Sequence, residues 1–152
     1  MNQDERRRLE EVLDREIEVA RLLAVTLADE HSALTGNSPE AVQQRAAEKM
    51  RHLETMESLE QQRRALGEAA GQDLARGDGN EFGLVASISE RWRALMELMA
   101  GCRAANEVNG YIIHLRQGQI RELIDIVRGG PAITYSPQGK TLAKALRALA
   151  RA

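Results

Sequence analysis

The chain is organised around the stretch Asn106-Glu107-Val108-Asn109-Gly110-Tyr111, which interrupts its longest helical pattern. This pattern begins near Trp92, and its apolar residues recur at heptad-like spacing. The apolar positions are Leu95, Met99, Cys102, Ile113, Ile120, Leu123 and Val127. The same register places Asn106 and Asn109 on the apolar seam. A buried amide must find hydrogen-bond partners, and a glycine inside a helix costs about 1 kcal/mol relative to alanine.

Two interpretations of this interruption remain. In the first, the amides of Asn106 and Asn109 pair across a helical bundle and fix the register of its helices, as a buried asparagine does in a coiled coil. In the second, Gly110 lets a neighbouring helix approach closely or lets its own helix flex. We favour the first interpretation. No base, nucleophile or metal ligand accompanies the two amides, so neither interpretation is catalytic.

The composition favours an all-α fold. The chain has 152 residues, about the size of one domain, of which only 3% are aromatic and 29% are charged. Aromatic and β-branched residues dominate strands, so this composition argues against a β-sandwich or barrel. Abundant Leu, Ala, Glu, Arg and Gln are typical of long helices with wet outer faces.

Two helices are predicted in the first half of the chain, and they form an antiparallel hairpin. The first covers residues 4–34 and ends at Gly36, a C-cap residue. Ser38 as N-cap and Pro39 in the first turn restart a helix that runs to about Leu74, and the short connection makes the two pack antiparallel. Inner positions expected from apolar spacing are Leu9, Val12, Leu13, Ile17, Val19, Ala20, Leu22, Leu23, Ala24 and Leu27, then Val42, Ala46, Met50, Leu53, Met56, Leu59 and Leu66.

A long third helix follows a loop at residues 76–80 and a short helix over residues 81–88. It begins near Ser87 or Ser89 and continues to Arg128, where two glycines and a proline stop it. The predicted fold is therefore all-α, with an antiparallel helical hairpin and a long third helix that form a coiled-coil-like three-helix bundle.

The C-terminal segment differs in charge from the rest of the chain. No acidic residue follows Asp125, whereas five basic residues do: Arg128, Lys140, Lys144, Arg147 and Arg151. Residues 140–152 are predicted to form an amphipathic tail helix, too short to be stable alone, with Leu142, Leu146 and Leu149 on one face. We predict a bundle over residues 1–131. Residues 132–152 then hold a Tyr-containing segment and the tail, as part of the same domain or as a flexible appendage.

The sequence indicates a cytoplasmic protein. Cys102 is the single cysteine, which excludes an intrachain disulfide and is typical of a reducing compartment. Residues 4–8 are charged, and the apolar core of a signal peptide does not follow them. No run approaches 18 apolar residues, so no stable membrane insertion is expected. Residues 140–152 lack aromatic side chains for base stacking, and a pI near 6.0 argues against nucleic acid as a partner.

No arrangement of residues predicts catalysis, a cofactor or a metal. The three histidines, His31, His52 and His114, all lack the glutamate three residues earlier that a carboxylate-bridged di-metal bundle needs. Gly139-Lys140-Thr141 ends a phosphate-loop motif, but Thr134 replaces its first glycine and Pro137 removes a backbone N–H. We therefore expect no enzyme activity and no cofactor.

The remaining functional interpretation is that the chain binds other proteins through its surface. Methionine adapts to varied apolar partners, and Met50, Met56, Met96 and Met99 are candidates for such a surface. For each of them singly, a place in the core is the favoured interpretation.

Three motifs in order resemble those of the FlgN family of flagellar export chaperones. The second helix carries Lys49-x3-Leu53-x2-Met56-x2-Leu59-Glu60-x2-Arg63-x2-Leu66-Gly67. The third carries Leu95-x2-Leu98 and Asn106-x2-Asn109-Gly110, and Thr134-Tyr135 with Gly139 follows. The likeness covers nearly the whole chain, although Ser136 stands where family members often have glycine.

The resemblance implies a cytoplasmic, non-enzymatic chaperone of flagellar type III export. Such chaperones bind the hook-associated proteins that join hook to filament, keep them unassembled and deliver them to the membrane export gate. Carried over to this sequence, the resemblance implies that cargo binds the end of the third helix and the tail, at Ile120, Leu123, Val127, Leu142, Leu146 and Leu149. It implies contact with the export gate at Tyr135, and it makes Asn106, Asn109 and Gly110 markers of fold and register.

Alternatives from other classes stay open. One is a structural coiled-coil tether or adaptor without export cargo, which predicts a stable elongated oligomer. Another is a small metal-binding bundle enzyme. A homodimer also fits, because the apolar seam of the third helix suits either its own hairpin or a second subunit.

Overall fold

A computed structural model describes residues 1–69 and 86–129, and these residues form three α-helices. Helix α1 spans Gln3–Thr35, α2 spans Pro39–Ala69 and α3 spans Ala86–Val127. No strand occurs within the described ranges, so the predicted all-α fold is confirmed. The predicted end of α2 at Leu74, the loop at 76–80, most of the short helix at 81–88 and the tail lie outside the described residues.

The chain divides into two compact units, residues 1–110 and residues 111–152. The first unit contains α1, α2 and the part of α3 up to Gly110. In the second unit, the structure describes residues 111–129, the remainder of α3 and its end. The predicted boundary between residues 131 and 132 lies outside the described residues and stays a prediction.

Both ends of α1 are capped by neighbouring residues. At the start, Asn2 Oδ1 accepts from the Glu5 backbone N–H and the Glu5 carboxylate accepts from the Asn2 backbone N–H, both at 2.8 Å. This reciprocal pair satisfies two N–H groups that the helix itself cannot. At the end, the Gly36 N–H donates to the Ser32 carbonyl at 2.8 Å, which confirms Gly36 as the C-cap. The left-handed residue that turns the chain is Asn37, with φ of 55°.

Helix α2 runs antiparallel to α1, as predicted, because α1–α2 ion pairs join residues in opposite order along the two helices. Glu16 in the first half of α1 pairs with Arg63 near the end of α2, whereas Glu30 near the end of α1 pairs with Lys49 in the first half of α2. Helix α3 runs parallel to α1. Ser87, Cys102 and Asn109 of α3 form hydrogen bonds with Glu10, Ala20 and Leu27 of α1, so the partners follow the same order along both helices.

Apolar residues of all three helices form the core of the first unit. The larger cluster contains Leu9, Leu13, Ile17, Ala20, Met56, Ile88, Trp92 and Leu95, and a smaller one contains Leu23, Leu27 and Cys102. A fully buried Leu or Ile contributes about 1.5–3 kcal/mol relative to an exposed one. The predicted inner positions Leu9, Leu13, Ile17, Ala20 and Leu27 are confirmed.

Four predicted inner or core positions are wrong. Leu22, Met50, Leu53 and Met96 are exposed, with 48%, 54%, 40% and 38% of their surface accessible. In α2 the reason is that the inward line follows Lys49, Met56 and Arg63 at heptad spacing, which turns Met50 and Leu53 toward its edge. Charged side chains occupy inner positions of α2, which a pattern of apolar residues alone does not predict.

Candidate functional site

The buried amide of Asn109 joins α3 to α1. Its Nδ2 donates to the Leu27 carbonyl oxygen and to Glu30 Oε2, both at 2.9 Å. Its Oδ1 lies 3.1 Å from Nδ1 of His31, which donates when that nitrogen carries the proton. Both N–H groups and the oxygen therefore have partners, and the burial of Asn109 leaves no amide atom unsatisfied.

The carboxylate of Glu30 connects all three helices. It is 1% exposed, and both of its oxygens accept from Lys49 Nζ of α2, at 2.8 and 3.1 Å. Lys49 Nζ also donates to Oδ1 of Asn106 at 3.2 Å. A buried charge that is paired and fully hydrogen-bonded rigidifies its surroundings, because every partner has one favourable position.

The structure thus places Asn106 and Asn109 at the ends of one network. Asn109 is buried, whereas Asn106 is exposed, which differs from the expectation that both lie on the apolar seam. A methyl group at Gly110 would meet no atom within 4 Å. The alternative that Gly110 admits a neighbouring helix requires a close contact that the described residues do not show. The register role of the three residues stays a prediction.

A second buried ion pair joins α1 to α2 nearer the start of α1. Arg63 Nε donates to both oxygens of Glu16, at 2.9 and 3.1 Å, and its guanidinium lies 4.6 Å from the ring centroid of Trp92. Burial raises the pKa of the Glu16 carboxyl above its ordinary value, while the charge of Arg63 opposes the rise. This carboxylate therefore depends on Arg63 to stay ionised.

The start of α3 is bound to α1 by polar groups near the surface. Ser87 Oγ donates to Glu10 at 2.6 Å, and Arg91 Nε donates to Asp14 at 2.7 Å. The hydrogen bond from Ser87 lowers the pKa of Glu10, and the bond to Asp14 raises the pKa of Arg91. Both pKa changes favour the charged forms, so these contacts hold the first turns of α3 against α1.

Cys102 acts as a small core residue. Its side chain is 4% exposed, and its Sγ donates to the Ala20 carbonyl oxygen at 3.5 Å. Burial raises the pKa of the thiol, which keeps it protonated and poorly reactive. Its place on the α3 seam agrees with the sequence-based interpretation.

Within the second unit, several apolar side chains of α3 are accessible. Of the residues predicted to bind cargo, Ile120 and Val127 are 55% and 85% exposed, and Leu123 is half-buried. Tyr111, Leu115 and Ile124 are exposed as well, although the sequence analysis did not predict that they bind cargo. The other predicted residues, Tyr135, Leu142, Leu146 and Leu149, lie outside the described residues.

No metal site or membrane span occurs in the part of the chain that the structure describes. No three His, Cys, Asp or Glu side chains there come close enough to hold an ion. No helix in those ranges is long and apolar enough to cross a bilayer.

Sequence reasoning missed the buried charges. Glu16, Glu30 and Arg63 are buried, although charged residues are normally assigned to the surface. A signal was present in their spacing. Leu9, Glu16, Leu23 and Glu30 follow one heptad line of α1, and Lys49, Met56 and Arg63 follow one of α2. Opposite charges on two facing heptad lines predict buried pairs.

A helical bundle with exposed apolar positions on one helix is typical of proteins that act by binding other proteins. Residues 1–143 match the family model described as FlgN protein. The chain therefore belongs to the FlgN family, a family of flagellar export chaperones rather than of enzymes. No match to this chain was found among the curated proteins or among the solved structures.

Proposed function

We propose that this chain is a cytoplasmic chaperone of flagellar type III export whose cargo is the hook-associated proteins. It binds them before assembly, keeps them from associating prematurely and delivers them to the export gate. The observation that carries the proposal is the FlgN family match over residues 1–143. The finer steps, namely cargo identity and delivery, follow from the family resemblance and are what experiment must test.

The exposed apolar positions of residues 111–127 support a cargo surface there. Ile120 and Val127 lie on α3 with most of their side chains accessible, and Leu123 lies between them. Exposed apolar side chains lose contact with water when a partner helix covers them, which favours binding by about 25 cal/mol per Å² buried. A cargo segment that forms an amphipathic helix would be recognised in this way.

We further propose that Leu142, Leu146 and Leu149 complete the cargo surface and that Tyr135 contacts the export gate. The spacing of the three leucines gives one apolar face over residues 140–152, and the basic residues of that segment occupy the other. A segment of this length gains stability mainly on binding, which lowers affinity and lets cargo be released.

Affinity purification from a flagellated cell tests the proposal. The full chain carries a tag, and the masses of co-purified proteins identify its partners. We expect hook-associated proteins in stoichiometric amounts. A stable elongated oligomer of the chain alone, measured by light scattering and accompanied by no flagellar protein, would instead support the tether. A dimer that also holds cargo is compatible with the proposed chaperone.

A further inference from the structure

In the first unit, a groove between α2 and α3 is left unfilled by the described residues. It consists of two cavities of about 380 and 120 Å³. Both are lined by Met99 and Arg103, so they adjoin at these two residues. Buried residues of α1 contribute to the floor, because Glu16 lines the larger cavity and Leu23 and Leu27 line the smaller one.

The walls of the groove combine charged side chains with apolar ones, and the apolar side chains are adaptable. Met56 of α2 faces Leu95, Met96 and Met99 of α3 across the larger cavity, and Leu53 and Cys102 line the smaller. Unbranched methionine side chains repack around partners of different shape at low cost. Met96 and Leu53, which apolar spacing alone assigns to helix contacts, are accessible on these walls.

One of the basic groups that line the groove lacks an acidic partner among the described residues. Most of its basic groups have acidic partners, in the pairs Arg63–Glu16, Arg64–Glu60 and Lys49–Glu30. Arg103 makes no hydrogen bond or ion pair with any residue in the described ranges, and it is exposed where the two cavities adjoin. A partner that fills the groove therefore meets a guanidinium where the two cavities adjoin.

The length of the groove matches that of one short helix. From Trp92 to Asn106 the wall of α3 is about 21 Å long at the α-helical rise, which corresponds to about 14 residues of an adjacent helix. A helix in this groove would contact both α2 and α3 and would complete a four-helix bundle. Its apolar residues would recur at every third or fourth position to reach the methionines.

We propose that this groove binds an amphipathic helix of a partner protein that carries a carboxylate beside its apolar stripe, placed to pair with Arg103. Charge complementarity selects this occupant, because a helix with a basic residue at the same place would repel Arg103. The proposal involves only residues 1–110 and is independent of the cargo surface proposed above.

Methyl resonances of the methionines in the full chain give a direct test. The probes are synthetic helical peptides of about 14 residues, the length of the groove wall. Each carries one leucine stripe, a glutamate in one of several registers beside it, and otherwise neutral residues; matched peptides have lysine in place of glutamate. We expect an acidic peptide to shift the signals of Met56, Met96 and Met99. Met50, exposed on α2 but not part of the groove, should not shift.

Charge reversal at one position then tests the recognition itself. Arg103→Glu should lower the affinity for the acidic peptide by about fivefold, the effect of an exposed ion pair. It should raise the affinity for the lysine peptide. Arg93→Glu is the matched control, since Arg93 is an exposed arginine of α3 that does not line the groove. This variant should bind both peptides as the original chain does.

Three results would overturn the proposal. The first is the absence of methionine shifts with every acidic peptide, and the second is equal binding of the glutamate and lysine peptides. The third is a shift of Met96 and Met99 that depends on protein concentration without any peptide, which would assign the groove to a second copy of the chain. None of these results bears on cargo binding by residues 111–152, because the measurement uses neither cargo nor export.

Discussion

The side-chain amide of Asn109 donates a 2.9 Å hydrogen bond to the carboxylate of Glu30, and both residues are 1% exposed. The bond crosses from α3 to α1, and the same carboxylate accepts from Lys49 of α2. Polar contacts that are satisfied only in one alignment penalise every other alignment of the helices. This is the physical basis for expecting Asn109 to set the register of the bundle.

Asn109→Ala should lower the free energy of unfolding by about 1–3 kcal/mol, because the substitution removes a donor from buried Glu30 and one from the Leu27 carbonyl. Asn106→Ala is the control in the same motif. It should cost less than about 1 kcal/mol, since Asn106 is exposed and bonds only to Lys49 among described residues. Urea denaturation of the two variants gives both values. Equal losses would show that the buried amide has no special role.

Arg63→Leu should destabilise the bundle by about 3–5 kcal/mol at pH 7, because it leaves Glu16 buried without its cation. Glu16→Gln combined with Arg63→Leu should recover part of this loss. The measurement is denaturation of the single and double variants.

The loss of stability caused by Arg63→Leu should also depend on pH. Without Arg63, the pKa of Glu16 rises further, so the folded state binds a proton more tightly than the unfolded state. The contribution of Glu16 to the stability of the variant is then fully present below the ordinary carboxyl pKa and is lost as pH rises through the raised folded-state pKa. Its deficit relative to the original chain should therefore narrow on acidification from pH 7. A deficit that is constant with pH would contradict a buried ionised Glu16.

Much of the fold follows from local sequence signals. Gly36, Ser38 and Pro39 mark the break between α1 and α2 closely, because capping and ring geometry act within a few residues. The short connection then makes the hairpin antiparallel. Asn2 was missed as the N-cap, although Glu5 stands at the capping-box spacing from it.

The interior of the bundle was less predictable. Apolar spacing assigned Met50 and Leu53 to the core, but Lys49 and Arg63 hold the inward line of α2. A charged residue is buried only when an opposite charge faces it, and that partner lies on another helix. The pairing is therefore a tertiary property, which the pattern within one helix does not specify. The hydrogen-bond partners of Asn109 likewise lie on another helix, so the pattern within α3 does not distinguish buried Asn109 from exposed Asn106.

Tyr135→Ala should retain cargo binding and reduce export of hook-associated proteins severalfold, if Tyr135 contacts the export gate. Leu22→Ala is the control, because Leu22 is an exposed apolar residue of α1 outside the proposed cargo surface. Pull-down of cargo and secretion into the culture medium measure the two properties separately. Equal export by Tyr135→Ala and the original chain would reject the gate role.

Deletion of residues 132–152 should leave the helical content of residues 1–131 intact and abolish cargo binding. The expectation rests on the segment's three leucines, and on a first-unit core built without it. Circular dichroism monitors folding, and pull-down monitors cargo. Undiminished cargo binding by the folded truncated chain would place the cargo surface elsewhere.

The most direct test of the chaperone account is the affinity of the full chain for a purified hook-associated protein after charges are placed on α3. Ile120→Asp with Val127→Asp should weaken binding at least about tenfold, or about 1.4 kcal/mol, because two exposed apolar contacts become charged. The control is Leu22→Asp with Val25→Asp, two exposed apolar residues of α1, which should leave the affinity unchanged. Calorimetric titration of the variants should show this difference. Equal affinity of both double variants and the original chain would contradict a cargo surface at the end of α3.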